Sequence, residues 1–415
     1  MARCLLALVF CVCLLPSYAQ RDCGTPAYTE TMQRSFPAMP REILALEGTG
    51  VTASPIPDTA VIVIPVVVHV VYNNEKQNIS DKQILSQIEA LNADFNGLNA
   101  DLSRVPAYFK PLAASVGIRF ELARVTPQGA PTNGINRVKT STKYFKDNDG
   151  VKFTRSGGVD AWDPSRYMNI WVCDLDLSLL GYASFPGGPK DRDGVVIDYK
   201  VFGTIGDLQA PYNKGRTATH EVGHWLGLKH LWGDGYCGDD GIDDTPQQQQ
   251  MSRGCPTGQV HSCGSTPYGD MYMNFMDFTN DGCMYMFTLG QRKAMRRLFS
   301  QDPLRSALAA SDVLTATPSQ MPEFKGVDLV AEPVTSPVRM FPNPVIDQLT
   351  IEFEDLKWAG YSVAQVFNHL GQQVAQQPLS GSRPALNLGN LKPGLYFVQL
   401  KGNGGETYRQ KIVKQ

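Results

Sequence analysis

Histidine is scarce in this chain, six residues in 415, and neither sign of charge prevails, since 38 basic and 40 acidic side chains leave a net charge of −2. With no long run of lysine or arginine, nothing in the composition calls for nucleic acid or an anionic membrane as a partner. Long apolar runs are equally rare. The apolar stretch Leu5 to Leu15 is too short to cross a bilayer and no other approaches eighteen residues, so no membrane span is expected. Arg3 ahead of that stretch and Ser17-Tyr18-Ala19 behind it complete a secretory signal, with cleavage expected before Gln20. Asp22 precedes Cys23 where a lipoprotein needs a small residue, which argues against a lipid anchor. A hydrophobic content of 42% with 19% charged residues excludes a disordered chain and suggests two or three domains.

Three of the six histidines fall within one stretch, His220-Glu221-Val222-Gly223-His224-Trp225-Leu226-Gly227-Leu228-Lys229-His230. A helical period stacks His220 and His224 one turn apart on a single face, where both can grip one ion. Glu221 sits beside them, too far round to ligate comfortably but within reach of a metal-bound water, where a general base for hydrolysis belongs. Gly227 allows the positive φ that ends a helix, and the reversed chain can return His230 as a third ligand. Three imidazoles leave the fourth position of a tetrahedral Zn2+ to water, which the ion acidifies while it polarises the scissile carbonyl. The expectation is a zinc-dependent hydrolase.

His220 to His230 matches the metzincin signature H-E-x-x-H-x-x-G-x-x-H, and Asn274-Phe275-Met276-Asp277-Phe278 resembles the methionine turn of that clan, with Met276 as its methionine. Three of the nine cysteines, Cys4, Cys11 and Cys13, leave with the signal. Four others, Cys237, Cys255, Cys263 and Cys283, follow the histidine stretch in a segment rich in Gly, Asp and Gln. Such a loop has little core of its own and calls for covalent staples, for which sequence alone allows three pairings. These spacings, with Cys237-Gly238-Asp239-Asp240-Gly241-Ile242-Asp243-Asp244-Thr245-Pro246, are similar to the pappalysin family of metzincins over roughly residues 60 to 300.

The resemblance implies an α/β (α+β) catalytic domain with a mixed sheet, a backing helix and a zinc helix, acting on protein or peptide substrates. It implies disulfides Cys237–Cys263 and Cys255–Cys283. The density of carboxylates between Asp239 and Asp244 suits a hard ion, and with the resemblance it points to a structural Ca2+ on Asp240, Asp243, Asp244 and Thr245, with Asp191 and Asp193 as weaker candidates. Asp281 matches the acid that lines the pocket for the residue after the scissile bond, which implies cleavage before Arg, then Lys. Phe278 stands where the family commonly has tyrosine, so no role for that hydroxyl carries over. Arg21-Asp22-Cys23-Gly24 resembles the cysteine switch of matrix metalloproteinases. Cys23 would then hold the open zinc position in a latent form, released by a cut near Ser54. Cys173 lies in an apolar run and is expected as a buried free thiol.

Ahead of the histidines, Ala60 to Tyr72, Ile118 to Ala123, Met168 to Cys173 and Val195 to Tyr199 read as strands, with His69 a core histidine. Ser80-Asp81-Lys82-Gln83 reads as a capping box opening a helix with Ile84, Ile88, Leu91 and Phe95 on one face, and Thr288 with Gln291 as a second box. His261 and His369 have no ligand partner at useful spacing. From about Thr315 to Pro337 the chain reads as a linker, and the short alternating strands beyond it as a small β-sandwich. With Pro342-Asn343-Pro344, Pro393-Gly394-Leu395-Tyr396 and a basic tail, this module resembles the C-terminal sorting domain of type IX secretion cargo. The expected order is signal peptide 1–19, pro-segment with cysteine switch 20–54, catalytic domain 55–312, linker 313–337 and sandwich 338–415. Such a protein is exported through the periplasm by the type IX machinery and is secreted or held at the cell surface. The rival reading is an exported binding protein or adhesin without catalysis, against which the intact His220, Glu221, His224 and His230 argue.

Overall fold

The computed structural model describes residues 22–37, 39, 56–176, 179–263, 267–315, 338–353, 361–368, 372–380, 384–402 and 407–414. The expected signal, the stretch around Ser54, most of the expected linker and His369 lie outside them. The chain divides into two compact units, Met1–Val327 and Asp328–Gln415.

In the first unit a two-residue strand β1 (Asp22–Cys23) leads into helix α1 (Thr25–Ser35). The β-branched run then forms the central strand β2 (Ile62–Tyr72), buried along nearly its whole length because both of its faces are covered. Helix α2 (Asp81–Phe95) turns Ile84, Ile88, Leu91 and Phe95 into the core as the periodicity requires. Ser80 caps it by accepting from Gln83 N–H at 3.1 Å. The expected reciprocal half of this box is replaced, since the Gln83 amide donates instead to Phe202 O at 2.8 Å and ties α2 to the chain ahead of the histidine-bearing segment. A short strand β3 (Ala113–Ala114) and strands β4 (Ile118–Leu122), β5 (Ile135–Lys139), β6 (Met168–Cys173), β7 (Leu179–Ala183) and β8 (Val195–Asp198) follow. β2 pairs in parallel with β4, β5 and β6, β6 with β8, and β7 runs antiparallel beside β8. The open side of β7 is covered by β1, in parallel register with Cys23 opposite Gly181. Neither β7 nor β1 was legible beforehand, β7 because its five residues include a glycine and lack strict alternation.

Helix α3 (Arg216–Trp225) lies under the sheet and is wholly buried. Beyond the cysteine-rich loop, strand β9 (Phe287–Thr288) pairs with β3, and helices α4 (Leu289–Gln301) and α5 (Pro303–Ala309) close the unit. The Thr288–Gln291 capping box is complete at the start of α4. Disulfides Cys237–Cys263 and Cys255–Cys283 staple the loop, and Cys23 and Cys173 are free and buried.

The second unit is a β-sandwich. Strands β10 (Val338–Phe341), β11 (Gln348–Phe353) and β14 (Ala385–Asn387) form one sheet, and β12 (Tyr361–Asn368), β13 (Gln373–Pro378), β15 (Gly394–Gly402) and β16 (Thr407–Lys414) the other. Their inner faces share one core that includes Leu349, Ile351, Val366, Val398 and Ile412.

His69 is fully buried in β2, with Nε2 2.9 Å from Asn169 Oδ1 and Nδ1 3.1 Å from Asn136 Nδ2. A neutral ring protonated at Nε2 satisfies both neighbours, donating to the first and accepting from the second. Burial pushes its pKa down to about 4. The unfolded ring titrates near ~6.5, so the unfolded chain takes up the proton first and stability falls as pH drops from there toward the folded value. We expect a loss on the order of 3 kcal/mol across that window, read from urea midpoints at pH 7 and pH 4, and a shallower loss in His69→Gln.

Candidate metal centre

The left-handed turn at Gly227, φ 87°, follows directly on α3 and bends the chain so that His230 returns toward His220 and His224. The three Nε2 atoms stand 3.0, 3.1 and 3.2 Å apart. These short approaches are not hydrogen bonds, because every ring spends its proton at Nδ1. His220 Nδ1 donates to Phe275 O at 2.7 Å, His224 Nδ1 to Leu228 O at 2.7 Å, and His230 Nδ1 to Asp234 Oδ1 at 2.5 Å. Three lone pairs therefore converge on one point. Tetrahedral zinc with Zn–N near 2.0–2.1 Å needs nitrogens about 3.3 Å apart, so this donor set fits that ion. Burial and the neighbouring His230 hold the His224 pKa down to about 3, which keeps the ring in its ligating form.

The Cys23 sulfur completes the group, and all four donor atoms lie within 4.8 Å of one another. Cys23 packs with Trp232 and Phe278, and the Trp232 ring stacks on His230 at 4.4 Å between centroids. Burial, then the Glu221 carboxylate, push the Cys23 thiol well up, so a thiolate is tolerable there only beside a cation. Glu221, 1% exposed, accepts a hydrogen bond at 2.8 Å from Thr25 Oγ1, which in turn accepts from Ala183 N–H of β7 at 2.9 Å. The two residues next to Gly24 thus lie one at the imidazole donors and the other at the carboxylate.

Met276 lies beneath the centre. Its sulfur would stand 2.4 Å from a Cβ at Gly223, so the glycine inside α3 is the room that the methionine needs. The turn that carries Met276 also provides Phe275 O to His220, and Asp277 ties it to the loop by accepting from Gln248 and Ser252. Asp281 is fully buried and accepts from the backbone N–H groups of Lys214 and Arg216, at 2.8 and 3.2 Å, at the start of α3. The acidic loop does not gather its side chains. Asp240 receives Ile242 N–H and the Thr245 hydroxyl, while Asp244 reaches away to Thr288 Oγ1 and Gly290 N–H at the start of α4. Among the described residues, Cys23 with the three histidines is the one grouping of three or more metal-capable side chains. Asp193, a weaker calcium candidate, is instead paired with Arg305 at 3.0 Å and with the Trp225 indole at 2.8 Å, behind α3.

Asp234 and Thr25 escaped the sequence reading, since an acid four residues past the last histidine and a threonine after Cys23-Gly24 match no metal spacing. Asp234 fixes the His230 ring as a carboxylate–histidine pair fixes a ligand to zinc. Asp234→Ala is expected to weaken zinc binding about ten- to a hundred-fold, with Asp234→Asn intermediate, as read by competition with a chromogenic chelator; unchanged affinity in both would refute the assignment.

Residues 156–300 match the family model described as Pregnancy-associated plasma protein-A, and residues 339–415 the Secretion system C-terminal sorting domain. Extracellular metalloprotease 1 of Coccidioides posadasii is 30% identical over 302 residues, 69% of this chain and 91% of that protein. Mature mirolysin of Tannerella forsythia, solved with a cleaved peptide, is 51% identical with a TM-score of 0.60, over 62% of this chain and all of that one. A promirolysin mutant from the same organism is 48% identical with a TM-score of 0.65, over 69% and 97%. With three imidazoles converging on one point and relatives of this extent, the chain belongs to the pappalysin family of metzincin zinc metalloproteases.

Proposed function

We propose that this secreted zinc metalloprotease is made as a latent zymogen and, once its pro-segment is removed, cuts peptide bonds before Arg, with Lys second. The observation that carries the reading is the joint placement of Cys23 on the three histidines and of Thr25 on Glu221. Zinc, when bound, supplies a Lewis acid that polarises the scissile carbonyl and makes water a ready nucleophile near neutral pH. His220, His224 and His230 would hold it through Nε2, with Asp234 keeping the third ring in place. Glu221 takes the proton released as the water oxygen bonds to the carbonyl carbon, and delivers it to the amine nitrogen as the C–N bond breaks. In the latent form Cys23 excludes water from the metal while Thr25 engages the carboxylate. A cut near Ser54 frees both. The sorting domain takes the chain through the periplasm to the type IX machinery, for release or display at the cell surface.

The preference for Arg is supported by the resemblance and by a buried carboxylate, Asp281, at the root of the histidine-bearing helix. A structural calcium beside Asp240, with Asp243 and Thr245 as further ligands and Asp244 held apart at the start of α4, is supported by the density of acids, and by burial that pushes Asp240 up to about 7, a cost that a cation would offset.

Cleavage of a peptide library by the processed protein tests the catalytic reading. Strong enrichment of Arg after the cut is expected. Glu221→Gln is expected to lower kcat at least about a thousand-fold with zinc still bound, and Asp281→Asn, which keeps the oxygen that accepts from the helix, to erase the preference without abolishing cutting. No cutting by any of them would favour the binding-protein reading; cutting with no bias toward Arg would remove the pocket assignment. For the calcium, the melting temperature is expected to rise by roughly 5 °C on adding millimolar Ca2+ and to lose that response in Asp240→Asn. No shift would discard the ion.

A further inference from the structure

We propose that the cavity filled by Tyr28 becomes, after the pro-segment leaves, a subsite for an aromatic side chain of the substrate, tyrosine before phenylalanine. This rests on the latent-peptidase reading above. Tyr28, on α1, is 3% exposed, and its ring lies 5.0 Å from that of Tyr182 on β7. Its hydroxyl donates to Asp149 Oδ2 at 2.9 Å, an oxygen that also receives Arg192 at 2.8 Å. Lys152, wholly buried, pairs with Asp149 at 2.9 Å, donates to Arg192 O at 2.7 Å, and sets its ammonium 5.0, 5.4 and 5.1 Å from the rings of Tyr28, Trp171 and Tyr182.

Such an arrangement is expensive as mere scaffolding. Lys152 and Asp149 are removed from water, and Asp149 is held in the left-handed region at φ 62°. Every one of these groups belongs to the part of the chain that stays. What leaves is the phenol they surround. Its departure opens a pocket with aromatic and aliphatic walls, a cation facing the π-systems and a carboxylate placed for an O–H donor.

Position links the pocket to the reaction. β1 lies on the edge of β7 with Cys23 at the imidazoles, and Thr25 bonds the last residue of that strand, Ala183. Tyr28 follows three residues on. A substrate that adds as a strand to the vacated β7 edge inherits those backbone bonds. Its side chains beyond the Ala183 end then reach the Tyr28 cavity, a few residues from the bond being cut.

The test uses the full chain after removal of its pro-segment. Its metal is first chelated, and binding is measured for a peptide copying residues 20–36 with Cys23→Ser. The tyrosine peptide is expected to bind about ten-fold or more tighter than its Tyr28→Ala counterpart, with Tyr28→Phe between them. The zinc-loaded protein is then given a library randomised on both sides of an Arg cut. Enrichment of Tyr and Phe at one position is expected. Equal binding by all three peptides, or cutting with no aromatic preference at any position, overturns the subsite and leaves proteolysis standing. Tyrosine-dependent binding without any cutting keeps the pocket as an aromatic-binding site but overturns its role as a substrate subsite, and the failure then lies in the protease reading.

Discussion

The whole first unit serves the orientation of three imidazole rings. A histidine on a helix can turn about two side-chain bonds, and a metal site needs that freedom removed before the ion arrives. Here each Nδ1–H is given an acceptor on a different piece of chain: Phe275 O on the methionine turn, Leu228 O just past the helix, and Asp234 in the loop beyond. With the protons spent outward, the lone pairs have one direction left. The centre therefore depends on how the turn, the helix end and the loop are fastened to one another.

Those fastenings are of two kinds. Behind the helix, Trp225 and Arg305 meet at Asp193, and the Arg305 guanidinium lies 3.8 Å from the Trp225 ring centroid, so the end of α3 is anchored by a buried ion pair and a stacked cation. Below it, the methionine side chain occupies the space left by Gly223, and Asn274 bonds Gln291 on α4 at 2.8 Å. The loop between has little core, and its two disulfides close loops with sequence separations of 26 and 28 residues. Cross-links of that span remove unfolded-state freedom that packing cannot offset there.

The segment around Cys23 obeys the same economy. One short strand on the β7 edge brings a thiol to the imidazoles, and the next turn brings a hydroxyl to Glu221 and a phenol to Asp149. Strand pairing sets this register: with Cys23 opposite Gly181, Thr25 can only face Ala183. The placement of thiol, hydroxyl and phenol thus follows from one backbone alignment, and on the reading proposed above the edge strand they cover would become a place for another peptide.

Periodicity by itself determined much of this protein. The spacing of three histidines and a glycine, the β-branched run of β2, the apolar face of α2 and the short alternating strands after residue 338 are local patterns, and local patterns express the repeat of the helix or the pleat. Tertiary structure alone decided the rest. Asp234 reaches His230 because a left-handed residue turns the loop, the Gln83 amide prefers a distant carbonyl to its own cap, and Asp193 is bound to Arg305, more than a hundred residues away in sequence. Asp244, expected at an ion, is drawn to the start of α4, where free N–H groups attract a carboxylate. In each case a polar side chain had several partners of equal chemistry, and distance in the folded chain chose among them.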